Sequence, residues 1–456
     1  MGRILRFPEG FQWGVSTAAY QIEGAVHADG REDSIWDVFS HTPGKIKHND
    51  TGDEADDSYH LWQQDIDIMH SLGVKAYRFS VAWPRIFPSG TGERNEAGLA
   101  YYDRLVDGLL AARITPVVTL YHWDLPAALP GAWLSRSTPL AFVNYVDRIT
   151  RQLGDRVKQW TTLNEPFCAS FTSYAFGIHA PGERDLAQAL QAAHNLMLAH
   201  GLAVPVIRAN VPDARVSIVM NPASVQPATD SAADRNAARY CNGLESRWLL
   251  DPLYGRGYPT DMQADFERMG VWKESPDYIQ PGDMQIIAAP LDLLGVNYYS
   301  RQVVAADPVQ PEKPEFWRGV LPTNAPRTEF GWEIYPQGLY DLLAWLKETY
   351  APKSLFIAEN GASYSDGPDA TGAVHDTRRV IYLHDHLVQL ARAIEAGIPV
   401  EGYFHWSLLD NFEWSEGYSQ RFGLVHVDFD SPDKKRTIKD SALYYKQVIA
   451  ANSVEE

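Results

Sequence analysis

Leu355-Phe356-Ile357-Ala358-Glu359-Asn360-Gly361 is a short apolar run closed by a carboxylate, an amide and a glycine. With Pro352 before it and Gly361 after it, the segment from Ser354 to Ala358 has the pattern of a strand buried on both faces. Desolvating a charge is costly, so a glutamate at the end of such a strand needs a reason. A second stretch has the same form: Trp160-Thr161-Thr162-Leu163 leads into Asn164-Glu165-Pro166. Two strands that each deliver a glutamate at their C-terminal end supply the paired carboxylates of an acid/base site.

Outward from these two, strand-like runs recur at 11–19, 76–83, 116–123, 159–163, 215–220, 291–299, 354–358 and 400–408. Helix-like segments lie between many of them. In 376–396, Val380, Leu383, His384, Leu387, Leu390, Ala391 and Ile394 recur at helical spacing, and Gly397 and Pro399 stop the helix. In 336–350, Pro336 suits the first helical position and Leu339, Leu342, Leu343 and Leu346 share a face. The alternation predicts an α/β fold: a single (β/α)₈ TIM barrel with extended βα loops, one domain over residues 1–456. A doubly wound open sheet is the alternative, weakened because no GxGxxG follows the first strand.

The 456 residues are 45% hydrophobic and 21% charged, enough to bury a large core. A formal charge of −18 argues against nucleic acid and anionic membranes as partners. Two cysteines, Cys168 and Cys241, suit a reducing compartment. The N-terminal residues are too interrupted for a signal peptide, and no apolar run approaches the roughly eighteen residues of a membrane span. The expectation is a cytoplasmic protein. No metal or cofactor is implied: the histidines form no HExxH, and no GxSxG elbow appears.

Polar and aromatic residues gather where strands end, at Arg78 to Trp83, His122-Trp123, Asn164-Glu165, Asn297 to Tyr299, Glu359-Asn360 and His405-Trp406. A strand-end salt bridge would account for either glutamate alone; two of them, each beside an asparagine, favour function. Arg78 inside a strand needs a carboxylate, and pairing with Glu359 would keep that group ionised. Trp13, Trp83, Trp123, Trp406 and Trp414 suit either core packing or the face of a sugar ring. Asn411 and Glu413 strengthen the second reading for Trp406 and Trp414. Gln21, His122 and Asn164 are either hydrogen-bonding site residues or satisfied buried polar groups.

At these residues the chain resembles glycoside hydrolase family 1, the β-glucosidase family. Residues 11–24, FQWGVSTAAYQIEG, are similar to its N-terminal signature. Thr162-Leu163-Asn164-Glu165-Pro166 resembles its acid/base motif, and Ile357-Ala358-Glu359-Asn360-Gly361 its nucleophile motif. The resemblance implies a retaining mechanism with Glu359 as nucleophile and Glu165 as acid/base, their carboxyl groups about 5–5.5 Å apart. It implies that Arg78 and Tyr299 hold Glu359 and that Asn164 binds the 2-hydroxyl. Gln21, His122, Trp123, Trp406, Glu413 and Trp414 would bind the glycone, Asn297 would line the same floor, and Trp332 would flank the aglycone. Members that act on 6-phosphorylated sugars carry a serine and a lysine after the last strand. Glu413 and Gln420 stand in that region here, and a carboxylate would repel a phosphate.

The implied substrates are small β-glucosides and cello-oligosaccharides, with a role in cellulose degradation. A β-galactosidase or β-fucosidase, or a non-catalytic sugar-binding protein, are the alternatives. The sequence carries no signal for an oligomeric state.

Overall fold

In the computed structural model, residues 2–274, 276–307 and 317–456 are described. Met1, Ser275 and residues 308–316 of the single-domain expectation lie outside the described residues. Eight parallel strands close into a barrel: β1 (Gln12–Ser16), β2 (Ala76–Ser80), β3 (Thr115–Tyr121), β4 (Gln159–Asn164), β5 (Arg215–Met220), β6 (Leu293–Asn297), β7 (Leu355–Asn360) and β8 (Val400–Trp406). They pair in chain order, and β8 returns to β1.

Each expected run overlaps one of these strands; 159–163 and 354–358 stop one and two residues short of their C-terminal ends, and 116–123 starts one residue late. The overshoot falls mainly at C-terminal ends, where the chain leaves the sheet for the βα loops. The helices at Gln337–Tyr350 and Thr377–Glu395 match the two expected, with Pro336 at the cap instead of the first turn.

The barrel interior is filled by Ala76, Val117, Val219, Leu293, Phe356, Ala358 and Phe404. Large and small residues alternate there. A Cβ on Gly14 would lie 2.3 Å from the Phe404 ring, so the absence of a side chain on β1 makes room for the one on β8. Leu355 and Ile357 belong to the separate shell between strands and helices.

On strict alternation Glu359 would join Leu355 and Ile357 and face the helices. Register irregularities on β7 prevent this, and β4 carries one of its own. The β7–β6 pairing shifts between Ile357 and Glu359, and the β4–β5 pairing shifts between Thr161 and Asn164. An extra residue in one strand re-aims every side chain after it. Asn360 therefore turns outward, donating to Tyr298 O at 2.7 Å and to the Tyr382 hydroxyl at 3.1 Å. Glu359 turns to the barrel mouth. On β4, Thr162 meets His200 outside the barrel, and Asn164, two residues on, points inward.

One expectation needs correction. Helix Leu186–Asn210 is long and apolar enough to cross a membrane, with mean hydropathy 1.2 over its most apolar window. Its apolarity reflects burial: 78% of that window is enclosed within the protein. It packs against helix Ser137–Leu153 and carries buried His194, Asn195 and His200.

The loop that leaves β8 and carries Glu413 and Trp414 is pinned by a buried charge cluster. Asp410 accepts from Lys439 Nζ at 2.7 Å, Arg421 at 3.1 Å and the Gly423 amide at 3.0 Å. Burial holds Lys439 down to about 8, opposed by Asp410. Removing one partner of a buried pair strands the other charge, at about 3–5 kcal/mol. Lys439→Met should lower unfolding free energy by about that amount in urea titrations at pH 7. A loss below about 1 kcal/mol would show that Arg421 suffices alone.

At the opposite end of the barrel, Ile4–Arg6 pairs antiparallel with Ser453–Glu455. Asn452 ties this clasp to the start of β1, accepting from Trp13 Nε1 at 2.9 Å and donating to Phe7 O at 2.9 Å.

Candidate active site

The strand ends surround a cavity of about 450 Å³. Glu165, Glu359, Asn164, Asn297, Tyr299, His122, Trp123, Trp332, Trp406, Glu413 and Trp414 all line it, as the sequence predicts. Arg78 and Gln21 are completely buried behind this lining. Trp13 and Trp83 are elsewhere, contrary to their candidacy as sugar platforms. Trp13 packs on Tyr445, and Trp83 stacks on Tyr145 with ring centroids 5.2 Å apart. Both fill space between strands and helices, the commoner fate of a tryptophan.

Each oxygen of Glu359 has a donor. Arg78 Nη1 donates to Oε1 at 2.8 Å, and the Tyr299 hydroxyl donates to Oε2 at 2.6 Å. Arg78 is the fully buried cation of this pair. Its other nitrogen, Nη2, donates to Asn164 Oδ1 at 2.6 Å.

That contact fixes the Asn164 amide, so its Nδ2 must donate to His122 Nε2, 3.0 Å away. His122 is then neutral with its proton on Nδ1. Burial and the Arg78 charge push its pKa well down, in agreement. The Nδ1–H has no acceptor among the described residues. Asn297 Nδ2 donates to Glu165 Oε1 at 2.6 Å and to Asn164 Oδ1 at 3.3 Å, and its own Oδ1 has no partner among the described residues. Gln21 Nε2 donates to Phe412 O at 2.9 Å and Asn411 Oδ1 at 3.1 Å and approaches Glu413 at 3.4 Å; its Oε1 is likewise free. Buried polar atoms are rarely left unpaired. Four of them, His179 Nδ1 included, lie in or directly behind the wall of one cavity and match a ligand that brings its own hydroxyl donors and acceptors.

The acids are set apart by environment. Burial and then the Glu359 charge push Glu165 up to about 7, against the opposing bond from Asn297. Glu413 is pushed up to about 8 by burial, then by Glu359 and Glu165.

Trp123, Trp414 and His179 form one aromatic wall, with Trp123 and Trp414 centroids 4.4 Å apart. Trp123 Nε1 donates to Asn164 O at 2.9 Å. Trp123, Glu165 and Trp414 have φ of +81°, +45° and +49°. Each such non-glycine residue costs on the order of 1 kcal/mol, and such strain persists where the surroundings over-determine it, as at sites. At the mouth, Trp332 stacks on Phe330 at 4.2 Å. Gln420 turns away and accepts from the Ser363 hydroxyl at 2.6 Å.

Several lining residues have no sequence signal: Cys168, His179, Asn221, Glu245, Arg301, Gln302 and Phe422. Cys168 and Glu245 sit on π-helical segments, Cys168–Ala175 and Gly243–Arg247. Such widened turns collect at functional sites.

This architecture has many counterparts. The chain is 46% identical to β-glucosidase A of Thermotoga maritima, over 99% of this chain and 100% of that one. It is 45% identical to a 1,4-β-D-glucan glucohydrolase of Thermotoga neapolitana, covering 99% and 100%. The solved family 1 β-glucosidase of Thermotoga maritima superposes with a TM-score of 0.94 at 45% identity, covering all of both chains. The glycosyl hydrolase family 1 profile matches residues 4–454, and with it the barrel, both glutamate-bearing strand ends and the loop of Glu413: the chain belongs to glycosyl hydrolase family 1.

Proposed function

We propose that this chain is a retaining β-glucosidase that removes terminal, non-reducing β-D-glucosyl residues from small β-glucosides and cello-oligosaccharides, the whole chain acting as one catalytic domain. The observation that carries the proposal is the division of labour between two carboxyls in one cavity. Glu359 is ringed by an arginine and a tyrosine hydroxyl, and Glu165 is held in its acid form up to about pH 7.

In the first step a Glu359 oxygen bonds to the anomeric carbon as the glycosidic C–O bond breaks, and the Glu165 proton passes to the departing oxygen. Esterification removes the negative charge that raised Glu165. Glu165, now a carboxylate, takes a proton from water as that water attacks the anomeric carbon and releases Glu359. Two displacements on one carbon return the β configuration.

Arg78 ties the nucleophile to Asn164, and Asn297 ties Asn164 to Glu165, so both carboxyls share one hydrogen-bonded frame. His122 Nδ1–H, Gln21 Oε1 and Glu413 are offered to glycone hydroxyls. The relatives named β-glucosidase and glucan glucohydrolase support glucose as that glycone.

Hydrolysis of 4-nitrophenyl β-D-glucoside, followed by NMR, tests the reading: the β anomer of glucose should appear first. Initial α-glucose, or faster turnover of the β-galactoside or β-fucoside, would overturn it. The pH profile is a second check. The acid form of Glu165 is lost as pH rises through its pKa, so kcat/KM should fall about tenfold per pH unit above about 7. A profile flat to pH 9 would contradict the assignment.

A further inference from the structure

Glu245 is a carboxylate in the cavity wall that the hydrolytic steps do not use. Its partners are neutral. Gln302 Nε2 donates to Oε2, and Cys241 Sγ lies 3.7 Å from Oε1. Cys241 Sγ is also 3.5 Å from Gln302 Oε1, so its one hydrogen serves one acceptor at a time. No cation pairs with Glu245 among the described residues, and burial pushes the carboxyl up to about 7. The cavity already holds Glu165, Glu359 and Glu413, besides Glu333, which is paired with Arg301, so a further acid without a cation adds repulsion. A desolvated carboxyl with spare acceptor capacity is costly unless something completes its shell.

Its place within the cavity indicates what does so. Ser246, next to Glu245, accepts from the Ala223 amide at 3.0 Å, and Asn221, two residues before Ala223, donates to Cys168 Sγ at 3.5 Å, three residues past Glu165. Glu245 is therefore on the Glu165 flank of the cavity. Glu165 protonates the departing oxygen, so this flank holds the leaving group. Two carboxyl oxygens side by side suit two hydroxyls on adjacent sugar carbons.

We propose that Glu245, held by Gln302 and Cys241, is a specificity-determining residue that hydrogen-bonds the hydroxyls of a sugar leaving group and so favours disaccharides over aryl glucosides. The proposal rests on the β-glucosidase reading above and deepens it.

The test measures kcat/KM for cellobiose and for phenyl β-D-glucoside, whose leaving group has no ring hydroxyls to offer, in wild type, E245L, E245A and E245Q. Steps common to both substrates cancel in the ratio. A site built to bond a hydroxyl discriminates strongly once its partner is lost, so the cellobiose-to-phenyl ratio should fall at least about tenfold in E245L and E245A. It should stay within about threefold of wild type in E245Q, which keeps shape and hydrogen bonding. Two truncations are used so that one folded variant, checked by thermal unfolding, is enough. An unchanged ratio in a folded truncation overturns the proposal and leaves the β-glucosidase reading standing. Wild type inert on both substrates overturns that reading and this one with it.

Discussion

Replacing Glu359 with glycine should abolish hydrolysis of 4-nitrophenyl β-D-glucoside, with kcat/KM falling by roughly 10⁴-fold or more, while the barrel stays folded. The nucleophile has no understudy. Glu165 and Glu413 line the same cavity, but both are pushed towards their neutral forms and neither has the Arg78 and Tyr299 pair. Removing one member of a buried ion pair costs about 3–5 kcal/mol when the survivor is sealed from water. Arg78 keeps Asn164 Oδ1 as a partner, and its vacated side opens on a cavity of about 450 Å³, so the penalty here should be smaller. Far-UV circular dichroism should therefore match wild type. A small anion such as azide fits the space freed and would attack from the side Glu359 held, giving glucosyl azide of α configuration. Turnover within tenfold of wild type, or a β-azide, would show that another group attacks the anomeric carbon.

Replacing Glu165 with glutamine should cost an amount set by the leaving group. A positioned general acid contributes about 10²–10⁴-fold. Cellobiose, which must release a sugar hydroxyl, should lose that full range in kcat/KM. 2,4-Dinitrophenyl β-D-glucoside, whose phenolate leaves unaided, should lose far less in its first step and instead accumulate the glycosyl-enzyme, since the base of the second step is gone too. Geometry should survive because the amide oxygen of the substituted side chain can still accept from Asn297 Nδ2, as the Glu165 carboxyl does. The alkaline limb near pH 7 should vanish with the titrating group. Equal losses on both substrates would mean that Glu165 shapes the cavity without moving a proton.

The barrel was legible because each of its strands is an apolar run bounded by turn residues, and the helices between carry a clear period. Strand ends were harder. Residues 81–83, 122–123 and 298–299 continue the apolar or aromatic character of their strands, yet the ladder stops before them. The inward turn of Glu359 was not legible from pattern at all. Alternation from Leu355 and Ile357 points it at the helices, and only the register shift, invisible in composition, reverses it. What singled it out in the sequence was the cost of a carboxylate at the end of a buried strand and its pairing with Glu165, to which the likeness of Ile357 to Gly361 to a known motif was added. Glu245 and Cys168 escaped because they come from segments with no repeat, no motif and no strand-end position, and Asn221, though it directly follows β5, because no acidic or aromatic neighbour marks it. Their meeting depends on two π-turns that no local preference announces. Trp13 and Trp83 took the core-packing alternative left open for them: a tryptophan near a strand end has the same letter whether it faces a ligand or a helix.

The clasp between Ile4–Arg6 and Ser453–Glu455 has a practical corollary. Near the two chain ends, Arg3 and Glu456 lie side by side beneath the barrel, Glu456 N donating to Arg3 O at 2.8 Å, on the side away from the opening. A solid support, affinity handle or fused scaffold coupled through either one would leave the entrance turned towards the bulk liquid, and linking the two ends covalently would demand only a short bridge.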